Sequence, residues 1–80
     1  PQAPIHLLII PKRKIERMAA ITDGDVGIVA DLLLTAANFA KKSGISSYRL
    51  VVNSGALAGE TVPHLHIHLL AGREMGWPPG

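Results

Sequence analysis

Three of the four histidines in this 80-residue chain, His64, His66 and His68, alternate with Leu65, Ile67 and Leu69. That alternation predicts a β-strand, because successive strand side chains point to opposite faces. The imidazoles then share one face and the aliphatic residues cover the other. At a strand rise of about 3.3 Å per residue, imidazoles two positions apart start about 6 to 7 Å from each other. One small anionic or electrophilic group can touch more than one of them at that spacing.

Four chemistries compete for such a row. The histidines could simply be polar residues on a wet sheet face. They could bind metal, since neutral imidazoles at alternate strand positions chelate zinc; His64 and His66 would be the first ligands, with Glu60 and His6 the nearest further donors. They could act on phosphorus, because a neutral imidazole is a competent nucleophile near pH 7. Attack on a phosphoryl or nucleotidyl group gives a covalent histidine adduct that water hydrolyses, and donors must hold the phosphate oxygens meanwhile. Finally, the same pocket without turnover would make a nucleotide-binding module.

Several elements must position the row. Pro1 to Pro4 is restricted to extended or turned backbone. Residues 5–10, Ile-His-Leu-Leu-Ile-Ile, read as a strand covered on both faces, with His6 a satisfied core or edge histidine. Residues 12–21 form a polar connection, with a helical turn expected around Ile15 to Met18. The main helix starts at Thr22 or Asp23, which can cap it, and ends in the Lys41-Lys42 turn before Gly44. Val26, Val29, Leu33, Ala36 and Ala40, widened by Ile28, Leu32 and Phe39, form its core stripe. Residues 47–53 are rich in strand formers and read as a second strand. Residues 54–61 form a loop of small residues whose glycines let backbone N–H groups approach an anion. Asn53, Thr61 and those N–H groups fall where phosphate donors are wanted. The tail after Gly72 carries no regular pattern.

Composition narrows the class. With 48% hydrophobic and 18% charged residues the chain folds, and its length allows one domain with a thin core that association would help to cover. It has no cysteine, so neither disulfides nor a thiolate metal site can form. That fits a reducing compartment, and a cytoplasmic location is expected. Net charge is only +2. The one basic cluster, Lys12, Arg13, Lys14 and Arg17, lacks aromatic interleaving and reads as a solvated loop, so no nucleic-acid partner is expected. No apolar run is long enough for a membrane.

The segment His64-Leu65-His66-Ile67-His68-Leu69-Leu70 resembles the motif that names the histidine triad proteins, and the resemblance continues outside it. Pro1-Gln2-Ala3-Pro4, Ile9-Ile10-Pro11-Lys12, residues 49–53, Gly59-Glu60-Thr61-Val62, Gly72-Arg73 and Trp77-Pro78-Pro79-Gly80 are similar to the Hint branch of that family. The resemblance implies an α+β fold, one main helix packed on an antiparallel sheet that continues across a homodimer. It implies hydrolysis of the P–N bond of purine nucleoside phosphoramidates with no metal or other cofactor. By motif position His66 is then the nucleophile, His64 orients it and His68 contacts the phosphate. Asn53, Gly59 and Thr61 fall at phosphate and leaving-group positions, and Trp77 at a cross-subunit contact. Two departures stand out. Lys14 occupies a position where the family often has a further histidine. Residues 1–80 also read as a single domain without the family's N-terminal helix and first strands, which carry much of the base pocket.

Overall fold

The computed structural model describes residues 3–80. Ala3 and Pro4 form a bend, while Pro1 and Gln2 lie outside the described residues. Strand β1 (Ile5–Ile9), helix α1 (Val26–Lys42), strand β2 (Arg49–Val51) and strand β3 (Ile67–Ala71) follow in chain order. β3 is central and antiparallel to both neighbours, in the order β1-β3-β2. This is the expected α+β arrangement of one main helix on a small antiparallel sheet. Among the described residues no helix is long and apolar enough to cross a membrane.

Side-chain alternation along β3 divides the structure in two. Leu65, Ile67, Leu69 and Ala71 are buried against the helix, and Leu69 is fully enclosed. Ile15, Leu32, Leu65 and Ile67 form one core cluster; Ala36, Leu69 and Ala71 form the other, with Ile9 and Leu50 packed against both. The histidines take the opposite, half-buried face.

The helix begins and ends by the expected chemistry. Thr22 and Asp25 form a capping box around a 3-10 turn at Asp23–Asp25, in which the Asp25 carboxylate accepts the Thr22 N–H at 2.9 Å. At the far end, Gly44 (φ 71°) donates to the Lys41 carbonyl and Ile45 donates to the Ala40 carbonyl at 2.8 Å, a Schellman stop. Ile45 then packs against the second core cluster.

Several expectations need correction. The helix buries Leu32, Ala36 and Ala40, with Ile28 packed beside them, while Val26, Leu33 and Phe39 are exposed. A single sheet covers only one side of a helix, so the buried line runs at i, i+4 and the rest of the apolar stripe is left outside. Likewise β1 is covered on one face only: Leu8 is 54% and Ile10 50% exposed. Its continuous apolar run therefore does not mean two covered faces. The expected turn after β1 forms at Met18–Ala20, later than Ile15, because Ile15 is buried in the first core cluster. The histidine strand is shorter than its alternation: ladder pairing starts at Ile67, opposite Ile9. Upstream, the Leu65 N–H instead donates to the Ile15 carbonyl at 2.6 Å.

Leu69→Ala removes the most enclosed large side chain between helix and sheet. It should lower unfolding stability by about 3 kcal/mol, measured by denaturant titration. A loss under about 1 kcal/mol would mean that Leu69 does not anchor the core.

Candidate active site

His66 is fixed by the main chain of its own motif. Its Nδ1 lies 2.6 Å from the His64 carbonyl oxygen. A carbonyl can only accept, so Nδ1 carries the proton and Nε2 of the neutral ring keeps its lone pair. The part of His64 that orients His66 is thus its backbone. The His64 ring turns elsewhere and donates from Nε2 to the Pro11 carbonyl at 3.3 Å. Pro11 and Ile15 therefore hold residues 64–65 from the same side, through a side chain and a main-chain N–H respectively.

His68 stands beside His66, with ring centroids 4.9 Å apart in an edge-on arrangement. Its Nδ1 shares a hydrogen bond of 2.8 Å with Nε2 of His6, which leaves His68 Nε2 outside that bond. All four histidines are half-buried. His6 is the satisfied edge histidine expected of it, on edge strand β1 with His68 as its partner. The β1–β3 register explains its place, since His6 pairs with Leu70 and Leu8 with His68, so His6 sits diagonally across from His68 on one face. The signal for it was the alternation of β1 itself, hidden by the apolar residues on both sides of His6.

A hollow of about 170 Å³ opens beside this group, lined by His6, Val51, Asn53, His68 and Leu70. Asn53 follows β2 and brings its amide to the hollow. Gly59 lies against that amide: a side-chain carbon there would be 3.9 Å from Asn53 Nδ2, and its φ of 100° suits glycine. Thr61 lies two residues beyond Gly59 and is exposed. The loop is not the open anion cradle that its glycines suggest. Ala58 and Glu60 donate their N–H groups to the Gly55 carbonyl, and Gly59 donates to Ala56. The Gly55 N–H goes to the Glu60 carboxylate at 3.1 Å. Glu60 also receives Arg17 Nε at 2.9 and 3.2 Å, and this carboxylate raises the Arg17 pKa above its ordinary value. Trp77 lies along β2 of its own chain, 82% exposed, where Arg49 donates to the Gly76 carbonyl at 2.8 Å.

The basic cluster is a solvated loop only in part. Arg13 Nη2 is 3.2 Å from buried Asp25, an ionic contact without hydrogen-bond alignment, and Arg17 is held by Glu60. Lys12 and Lys14 are exposed. Among the described residues no three histidine, aspartate or glutamate side chains converge as metal ligands.

The His68 pKa is lowered, first by burial and then by charge on His66 and His6. The native state therefore binds fewer protons than the unfolded chain just below the ordinary value of 6.5, and stability is lost as pH falls through that region. An NMR titration should place the His68 midpoint below those of free histidines, and unfolding stability should be lower at about pH 5.5 than at about pH 7. A His68 midpoint above the ordinary value would contradict the burial assigned to it.

Residues 1–75 match the HIT domain family model. An uncharacterised HIT-like protein of Synechocystis sp. is 48% identical over 81 aligned positions, which cover 100% of this chain and 71% of that protein. The crystal structure of a HIT family hydrolase from Legionella pneumophila superposes with a TM-score of 0.96 at 48% identity, covering 100% of this chain and 73% of that one. A HIT family hydrolase from Clostridium thermocellum gives 0.90 at 45% identity, over 95% of this chain and 68% of that one. A family match across nearly the whole sequence and these two superpositions agree with the histidine face described above: the chain belongs to the HIT domain family.

Proposed function

We propose that the chain is a nucleotide-binding hydrolase of the Hint branch, cleaving the P–N bond of purine nucleoside 5′-phosphoramidates through a nucleotidyl-histidine intermediate. The observation that carries this reading is the His66 Nδ1 contact with the His64 carbonyl, which leaves Nε2 as the free lone pair on the open face. Nε2 attacks phosphorus, the P–N bond breaks, and the departing nitrogen takes a proton from solvent to leave as a neutral amine; the water consumed in the second step returns that proton. Water then attacks the same phosphorus, returning His66 and releasing the nucleoside monophosphate. His68, held by His6, contacts a phosphate oxygen from the adjoining hollow. Asn53, Gly59 and Thr61 take the phosphate and the leaving group. Exposed Leu8 and Ile10, on the histidine face of β1, offer an apolar shoulder to a purine. The similarity to HIT family hydrolases supports the same class of chemistry.

His66→Ala should abolish hydrolysis of an adenosine phosphoramidate, a loss of at least about 10³-fold in kcat, with an unchanged circular-dichroism spectrum. A variant that keeps its rate would remove His66 from the role of nucleophile. An unmutated protein that binds AMP and never turns over would instead be a binding module. No step draws on a metal, so exhaustive chelation should leave activity and melting temperature unchanged. A loss restored by zinc alone would assign His64 and His66 as ligands.

We further propose a homodimer. Val26, Leu33, Leu34 and Phe39 are between 41% and 67% exposed on α1, and β2 pairs with β3 alone in the described sheet. A second copy would cover both features and bring the Trp77 tail toward the partner's site. Sedimentation should show a dimer at micromolar concentration, and Leu33→Glu should shift it to monomer. A stable monomer without the substitution would defeat the assembly.

A further inference from the structure

Glu60 is the only acidic residue between Asp31 and Glu74, and it lies four positions before His64. Its side chain is 8% exposed, while that of Arg17 is 33% exposed. The carboxylate receives Arg17 Nε on both oxygens and the Gly55 N–H on one of them. Glu60 also donates its own N–H to the Gly55 carbonyl, so side chain and main chain together close the loop from Gly55 to Glu60. A second tie, from the Ala19 N–H to Ser54 Oγ at 3.1 Å, fixes the start of the loop to the same neighbouring segment. The loop in turn seats Gly59 against Asn53, which lines the hollow at His68. A negative charge buried next to a phosphate site opposes an anionic ligand unless a cation neutralises it.

We propose that Arg17 and Glu60 act as a pair of positioning residues for the phosphate side of the site. Glu60 closes the loop that places Gly59 and Thr61, and Arg17 cancels the charge that this closure brings. Arg17 acts through Glu60 and does not touch the ligand. The inference rests on the hydrolase reading, so AMP binding is measured alongside turnover. If the unmutated protein binds AMP without hydrolysis, the hydrolase reading fails and the pair is still tested by binding.

The experiment compares the unmutated chain with Arg17→Met, Arg17→Lys, Glu60→Gln and the double variant Arg17→Met/Glu60→Gln. AMP affinity comes from calorimetry, KM and kcat from an adenosine phosphoramidate, and loop closure from hydrogen exchange at the Gly55 amide. Arg17→Met should weaken AMP binding and raise KM about tenfold, with kcat within about threefold, and should speed Gly55 exchange by a similar factor. Arg17→Lys should recover most of the affinity, since it restores the charge. Glutamine at position 60 still accepts the Gly55 N–H but carries no charge, so the double variant should bind AMP within about threefold of Glu60→Gln alone.

Arg17→Met binding AMP as the unmutated chain does would overturn the proposal. So would a double variant about tenfold weaker than Glu60→Gln, because Arg17 would then be a direct ligand contact. A fall in kcat with KM unchanged would overturn it too. Should Arg17→Met fail to fold, the comparison of Glu60→Gln with the double variant decides alone, since neither leaves a buried carboxylate unpaired.

Discussion

The setting of His66 depends on one short main-chain contact, the His64 carbonyl against His66 Nδ1 at 2.6 Å. A side-chain acceptor at this point could rotate away, whereas a carbonyl two residues back in the same segment is held by the backbone. It selects the tautomer of His66 and so decides which nitrogen is free. The carbonyl is itself kept in place because residues 64 and 65 are tied to the segment after β1, by His64 Nε2 to Pro11 and by Leu65 N–H to Ile15. Those ties matter because ladder pairing begins only at Ile67. The first two histidines sit beyond the sheet and need their own support.

The second constraint is that the sheet has one packed face. Leu65, Ile67, Leu69 and Ala71 lie against the helix, leaving the alternate positions for chemistry. Because period-2 alternation is strict, a one-residue slip of β3 would bury the imidazoles and expose the leucines. The core thereby enforces the register that the site needs. On the open face, half-burial lowers the His68 pKa and its pairing with His6 uses one of its nitrogens. The histidine next to the proposed nucleophile is thus biased toward its neutral form while the ring is held still.

Local signals in the chain were legible wherever the physics is local. Thr22 announced the helix start, though its partner in the capping box is Asp25 rather than Asp23; Gly44 announced its end, and the alternation from His64 to Leu70 the two faces of the histidine strand. The misread positions share a different cause. Whether Leu8, Ile10, Leu33 and Phe39 are covered depends on how many layers the fold has, and an apolar residue type says nothing about that. The partner of His6 went unnamed because it lies 62 residues away, and Arg17 looked like one of a solvated basic cluster because Glu60 lies 43 residues away. Both contacts are created by the antiparallel topology. The glycine loop misled in the other direction: its composition suggested free N–H groups, whereas several are spent closing the loop on Gly55 and Ala56.

These facts bear on one another. A thin one-sided core leaves a face free for the histidines, and the same thinness leaves apolar helix surface uncovered. Val26, Leu33, Leu34 and Phe39 belong to the helix, which packs on the sheet face opposite the histidines, so a layer that covered them would leave the histidine row open. The loop before His64 meets the problem on a smaller scale. With little core to pack against, and with Leu57 at its tip fully exposed, it is held by polar ties to residues 17 and 19 in place of apolar burial. A buried carboxylate is a costly tie unless it is matched. Glu60 is matched by the Arg17 Nε–H, shared between its two oxygens, and by the Gly55 N–H on Oε1, so the loop can be closed without leaving a bare charge beside the proposed phosphate site.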